Sequence, residues 1–167
     1  MTLCCSHKIR QRLGLSVRLP APAEPSTRLG NWYVHLVQFG HLQVVLATSE
    51  RSLLTVILPA RRLRETIEEE LQAAVARLLW ALGIPPDTVK RELAAMRPAG
   101  FSAAANRRVI GSMNEFAFLL GAELEEITDP LALSLRLSDT PMSAVGSKSR
   151  YGIPLEVARE LLTSRAN

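Results

Sequence analysis

The spacing of apolar residues along the chain predicts several helices packed against one β-sheet. In the longest periodic stretch, residues 61–82, apolar residues recur every three or four positions, as one face of an amphipathic helix requires. The same spacing predicts helices over residues 7–13, after Asn106, after Pro86 and from Pro154 onwards. Short runs that alternate between apolar and polar residues, or are apolar throughout, predict the strands.

Three strand-like runs in the first third of the chain predict the centre of the sheet. Residues 31–39 and 42–48 are separated by a gap that suits a tight hairpin, and residues 53–58 follow a short turn. The simplest arrangement is an antiparallel meander. We therefore expect an α+β fold in which the sheet and several helices form a single pair of layers. A further strand is predicted over residues 131–137, where leucines occupy alternate positions.

The length of 167 residues predicts a single domain over residues 1–167, and the hydrophobic content of 47% is sufficient for one buried core. Two segments are predicted as loops. Residues 19–28 are rich in proline and should form an exposed surface loop. Residues 139–152 contain small and turn-forming side chains and should form a mobile loop.

The helix predicted after Asn106 combines an apolar face with a glycine in its interior. Its second half, residues 116–122, is apolar on nearly all sides, which predicts a largely buried helix between two layers. Gly111 costs roughly 1 kcal/mol relative to alanine in a helix interior. We therefore expect another segment of the chain to approach this helix closely at Gly111.

The polar residues of this helix are the best candidate for a binding site. They are Asn106, Arg107, Arg108, Ser112, Asn114 and Glu115. Two arginines in a first turn oppose the helix dipole, so something should compensate for their charge. Either they pair with acids of the fold, which is the commoner arrangement, or they join free backbone N–H groups in a seat for an anion.

Four polar residues of the predicted sheet could join this set. They are Asn31, His35, Glu50 and Arg51. The net charge is +4, and residues 1–59 hold six Lys or Arg against two Asp or Glu. This excess gives weak support to phosphate or nucleic acid as a ligand.

Known patterns for catalysis are missing from the sequence. There is no glycine-rich phosphate loop, no His or Cys spacing typical of zinc, and no Gly-x-Ser-x-Gly motif. Glu68, Glu69 and Glu70 point in three directions on a helix, so they are not a paired acid and base. We predict no catalytic residue, no metal ligand and no cofactor.

The sequence also predicts a cytoplasmic protein without membrane contact. No stretch reaches about 18 uninterrupted apolar residues, and the first residues do not form a secretory signal. Cys4 and Cys5 are the only cysteines. Neighbouring cysteines rarely form a disulfide, so a buried reduced pair is expected.

Four segments resemble an uncharacterised bacterial family, a domain of unknown function. The main one is residues 106–116, which contain the pattern Asn-Arg-x-Val-x-Gly-Ser-Met-Asn. The others are residues 29–33, 50–53 and 82–85. The resemblance extends over nearly the whole chain, but it implies no activity, substrate or cofactor.

Our leading hypothesis is a small cytosolic module that binds a partner without catalysis; the partner is unknown, and a protein is one possibility. One alternative is a phosphate-binding or nucleic-acid-binding protein, including a metal-dependent phosphodiesterase or nuclease. The enzyme version lacks a second clustered carboxylate for a metal ion. A third hypothesis is an interaction subunit that uses the exposed side of the helix over residues 61–82.

Overall fold

The computed structural model describes residues 1–61, 63–97, 99–124, 126–145 and 151–164. The strands are β1 (Thr2–Cys5), β2 (Trp32–Phe39), β3 (Leu42–Ser49), β4 (Thr55–Pro59) and β5 (Gly100–Ala103). The helices are α1 (His7–Leu13), α2 (Leu63–Ala81), α3 (Pro86–Ala95), α4 (Arg107–Glu123), α5 (Pro130–Ser138) and α6 (Pro154–Thr163). A 3-10 turn spans Ser143–Val145.

The five strands form one sheet in the order β4-β3-β2-β1-β5. Strands β2, β3 and β4 are an antiparallel meander, with His35 opposite Leu46 and Leu46 opposite Ile57. Strand β1 lies parallel to both β2 and β5. The α+β class is confirmed, and the predicted meander is the larger part of a mixed sheet.

Helices cover both faces of this sheet, which gives three layers rather than the expected single pair. The side chains of Trp32 and Val34 point into one core, which they share with α1, α2, α3 and α6. Tyr33 points into a second core, which it shares with α4 and part of α5. Both alternating sets of side chains on β2 are largely apolar, so each face needs its own cover.

Residues 131–137 form helix α5, so the strand predicted there is wrong. The carboxylate of Asp129 caps the helix by accepting from the Ala132 N–H at 2.8 Å, and Pro130 occupies the first turn. The alternating leucines are two pairs with helical spacing. Leu133 and Leu137 pack into the second core, whereas Leu131 and Leu135 pack against the first. A helix beside the edge of a covered sheet can contact both cores.

Two serines of α5 occupy the place of a neighbouring strand along the edge of β4. The Ser138 hydroxyl accepts from the Thr55 N–H at 3.0 Å and donates to the Thr55 carbonyl at 3.1 Å. The Ser134 hydroxyl accepts from the Ile57 N–H at 3.1 Å. In β4, every second residue directs its N–H toward α5. After Thr55 and Ile57 the next such residue is Pro59, which has no N–H group. The helix therefore protects an edge that would otherwise offer unpaired backbone groups.

The proline-rich residues 19–28 form no helix or strand, and their backbone is bonded to the sheet. The Ser102 hydroxyl donates to the Pro20 carbonyl at 2.8 Å, and the Ala23 N–H donates to the Thr2 hydroxyl at 3.1 Å. These bonds satisfy buried hydroxyl groups on β1 and β5. The loop therefore packs over β1 and β5, and most of its own residues are exposed to solvent.

The second predicted loop, residues 139–152, includes the 3-10 turn and a backbone bridge between Met142 and Gly152. Residues 146–150 lie outside the described part of the chain. The mobility of this loop stays a prediction.

We predict that Ser138→Ala lowers the free energy of unfolding by about 1–3 kcal/mol, because both backbone groups of Thr55 lose their buried partner. The midpoint of urea denaturation measures the change. Ser143→Ala is the matched control: its side chain is exposed, and the expected change is within about 0.5 kcal/mol. Equal midpoints for the two variants would show that α5 does not satisfy this edge.

Candidate functional site

Three of the four segments that carry the family resemblance meet at one end of the sheet. The Glu50 N–H donates to the Asn31 carbonyl at 2.8 Å, and the Arg51 N–H donates to the Leu29 carbonyl at 3.1 Å. From α4, the Arg108 guanidinium donates to the Glu50 carbonyl at 2.6 Å. Residues 29–33, 50–53 and the start of α4 therefore form one continuous polar assembly.

The turn between β3 and β4 is held by side-chain hydroxyls within the assembly. The hydroxyls of Ser49 and Ser52 lie 2.6 Å apart, and the Leu54 N–H donates to the Ser49 hydroxyl at 3.1 Å. Leu53 has a φ of 59°, in the left-handed region. This conformation costs a residue with a side chain about 1–2 kcal/mol. The Leu53 side chain is fully buried in the second core, which offsets that cost.

Asn106 caps α4, as the sequence predicts: its side-chain oxygen accepts from the Arg108 N–H at 3.1 Å. The Arg108 guanidinium also donates to the Ala144 carbonyl at 2.9 Å. Arg108 therefore links α4 to the β3–β4 turn and to the 3-10 turn. Carbonyl groups, rather than acids, compensate for its charge. The Ser112 hydroxyl is buried and donates to the Arg108 carbonyl at 3.1 Å.

The candidate anion seat is thus only partly available at the start of α4. The guanidinium of Arg108 donates to two carbonyls, and the Asn106 side chain accepts from one N–H of the first turn. Arg107 is exposed and has no hydrogen-bond or ion-pair partner among the described residues. Of the two arginines, only Arg107 keeps its guanidinium free for a ligand.

The remaining site residues lie on the solvent side of α4, on a surface that we call the outward stripe. It consists of the exposed residues Arg107, Gly111, Asn114, Glu115, Phe118 and Ala122. The Phe118 side chain is 83% exposed. The prediction that α4 lies buried between two layers is therefore wrong. The second half of α4 is apolar on nearly all sides, but one of its apolar residues, Phe118, faces solvent and not a second layer.

Among the described residues, none lies close to Gly111. A Cβ atom placed there would have no neighbour from this part of the chain within 4 Å, so the predicted close approach at Gly111 is wrong. The close approach occurs at Gly121, where an added Cβ would lie 2.9 Å from the Phe39 ring. A helical pattern does not distinguish a glycine that contacts the sheet from one that faces solvent.

The four sheet residues proposed for the site do not all lie together in the structure. Asn31 and Glu50 belong to the assembly around Arg108, and the Glu50 carboxylate accepts from the Asn31 N–H at 3.4 Å. The Arg51 guanidinium donates to the Arg28 carbonyl at 3.4 Å instead. His35 is half-buried further along β2, where burial, with a smaller contribution from Lys8, lowers its pKa. The lowered pKa favours the neutral form of the His35 imidazole.

The buried Cys4 and Tyr33 and the half-buried Glu50 form a cluster beneath the start of α4. Burial raises the pKa of the Cys4 thiol to about 11, although a hydrogen bond with Tyr33 opposes the change. Burial also raises the pKa of the Cys5 thiol to about 12 and, together with Cys4 and Glu50, raises the pKa of Tyr33. Thiols with such pKa values stay protonated and are poor nucleophiles. The cluster contributes packing rather than covalent chemistry.

The described part of the chain contains neither a cluster of metal-ligating side chains nor a membrane-spanning helix. It holds no group of three or more His, Cys, Asp or Glu side chains that could ligate a metal ion. Among the same residues, no helix has both the length and the apolar character needed to cross a membrane.

Sequence reasoning missed one buried acid that supports the assembly from the other side. Glu92 of α3 is 3% exposed, and its carboxylate accepts from the N–H groups of Arg28 and Leu29 at 2.9 and 3.0 Å. This fixes the backbone that leads into β2. Its spacing in the sequence could have indicated that Glu92 is buried. It lies three residues after Val89, which places both residues on the inward face of the amphipathic helix α3.

The fold and the polar assembly define an α+β protein with a mixed five-stranded sheet between two helical layers. Residues 2–157 match the family described as Domain of unknown function (DUF6933), and the chain belongs to that family. Neither a curated protein nor a solved structure matches the chain.

We predict that Arg108→Ala lowers the free energy of unfolding by about 1–2 kcal/mol, because two charged hydrogen bonds between separate segments are lost. Arg107→Ala is the matched control and should change it by less than about 0.5 kcal/mol. Urea denaturation measures both variants. A larger loss of unfolding free energy for Arg107→Ala than for Arg108→Ala would contradict the conclusion that only the Arg108 guanidinium links separate segments of the fold.

A second pair of variants tests the two glycines of α4. We predict that Gly111→Ala raises the free energy of unfolding by about 0.5–1 kcal/mol, because alanine favours the helix and meets no neighbour. Gly121→Ala should lower it by about 1–3 kcal/mol, because the new methyl group would overlap the Phe39 ring. Thermal melting of dilute samples compares them, and stabilisation of both variants would contradict the contact at Gly121.

Proposed function

We propose that this chain is a non-catalytic module that binds a protein partner through the outward stripe of α4. The observation that carries the proposal is Phe118, a large aromatic side chain that is 83% exposed on an ordered helix. Aromatic residues are enriched among those that contribute most to binding at protein interfaces. The site residues Asn114 and Glu115 flank it.

The surroundings of Phe118 support this proposal. Asn114, Glu115, Phe118 and Leu119 border a shallow depression of about 450 Å³. An apolar centre with a polar rim is the usual composition of a protein interface. Arg107 and Glu115 carry opposite charges and have no ion-pair partner among the described residues, so both are available to a partner.

The attachment of α4 also favours binding. Val109, Met113 and Phe116 are buried in the second core, and Arg108 ties the first turn to two other segments. A helix held in this way loses little conformational freedom when a partner binds. Asn106, Arg108 and Ser112 are therefore assigned to positioning, whereas Arg107, Asn114 and Glu115 are assigned to contact.

A cytoplasmic location is part of the same proposal. Cys4 and Cys5 are both free and buried, and reduced cysteines are typical of the cytoplasm. The thiol pKa values of about 11 and 12 keep both groups protonated at neutral pH.

The test is photo-crosslinking in the native host, with a photoreactive amino acid placed at Asn114 in the centre of the outward stripe. We expect protein adducts at this position and their loss when Phe118→Asp is added. The matched control places the same probe at Lys90, which is exposed on α3, and should give none of these adducts. Adducts that survive Phe118→Asp, or their absence at Asn114, would contradict the proposal.

A further inference from the structure

We infer that the partner at the outward stripe is a second copy of this chain, with the two α4 helices packed antiparallel about a two-fold axis at Gly111. The inference rests on the proposed function, since it names the partner of the same surface. It follows from the order of the residues along the stripe. In an antiparallel pair, charged residues of one copy lie opposite residues of opposite charge in the other, and the glycines lie opposite each other.

The charges of the stripe are placed symmetrically about Gly111. Arg107 lies four residues before it and Glu115 four residues after it. Four residues of helix span about 6 Å, so an antiparallel copy centred on Gly111 brings each Arg107 level with a Glu115 of the other copy. Two ion pairs form by symmetry, as in any interface with a two-fold axis. Neither side chain has a partner among the described residues of its own chain.

The space needed by a second helix is available at the axis. Gly111 is exposed, and a Cβ atom there would lie more than 4 Å from every other described segment of the chain. Paired helices lie about 8–10 Å apart, depending on the side chains at the contact. Two glycines facing each other allow the shorter end of this range. This also gives a reason for a glycine in a helix interior, at a position that no other described segment of its own chain approaches.

Phe118 obtains an apolar surface in the same arrangement. It lies seven residues after Gly111, about 10 Å along the helix axis, so its ring reaches past Arg107, the first residue of α4 in the second copy. Beyond that residue lies the segment that leads into α4, which contains the exposed Ala105. Both copies bury one ring each against this segment. Burial of these rings is the main apolar contribution to the pairing.

The size of the interface sets the expected affinity. One helix face on each copy buries less area than a standard protein interface, so the dimer should be weak. We expect a dissociation constant on the order of 10–100 µM. The association should therefore be visible only in concentrated samples.

The first test is analytical ultracentrifugation of four proteins over a concentration series: the parent, Arg107→Glu, Glu115→Arg, and the double variant with both changes. Each single reversal replaces two attractive contacts with two repulsive ones and should weaken association at least tenfold. The double variant restores opposite charges and should associate within about threefold of the parent. The control Lys90→Glu, on α3, should leave association unchanged.

The second test mixes the two single variants, and it does not depend on the folding of the double variant. Arg107→Glu carries only acids at the two positions, whereas Glu115→Arg carries only arginines. Each variant alone should stay monomeric, whereas their mixture should form a heterodimer. Far-ultraviolet circular dichroism confirms that every variant is folded.

Two results would overturn the inference: a parent that stays monomeric at millimolar concentration, or single variants that fail to associate when mixed. Crosslinking at Asn114 separates this failure from failure of the proposed function. Adducts to a different protein, lost with Phe118→Asp, would keep the interaction module and reject the second copy. A monomeric parent with no adduct at Asn114 would reject both.

Discussion

The requirement to cover both faces of β2 determines much of this structure. Trp32 and Val34 point to one side of the strand and Tyr33 to the other, and all three are buried. One helical layer cannot cover both sets of side chains, so α1 and α2 occupy one face while α4 occupies the other. The outer edge of β4 must also be covered, because its backbone groups have no neighbouring strand. Two serine hydroxyl groups of α5 form hydrogen bonds with this edge. The position of the candidate site follows from this arrangement, because α4 has only one side left for solvent.

Much of the fold could be predicted from local patterns. The meander, the Asn106 cap and helices α1, α2, α3 and α6 each depend on residues close together in sequence. The helix over residues 131–137 could not be assigned in this way, because leucines at every second position satisfy a strand and also form two helical pairs. Tertiary position decided between them: a helix beside the sheet edge uses both pairs, and its serines satisfy the edge of β4.

The candidate site shows where local patterns stop being informative. The six residues were found because polar side chains are unusual in an apolar helix, but their division into two groups depends on which side of α4 meets the sheet. Arg107 and Arg108 are neighbours with the same chemistry. One reaches solvent, and the other reaches two carbonyls from segments 58 and 36 residues away in sequence. The sequence alone contains no signal for that difference, nor for which of the two glycines faces Phe39.

The left-handed conformation of Leu53 has a consequence for the order of folding. Its backbone is unfavourable for leucine when the β3–β4 turn is isolated, because the compensating burial depends on the second core. That core includes residues of α4 that lie more than fifty positions later in sequence. The hairpin end should therefore adopt its native shape only after α4 has docked on the sheet. In a kinetic experiment, changes at Leu53 should accelerate unfolding much more than they slow folding, which would assign this turn to the late part of the reaction.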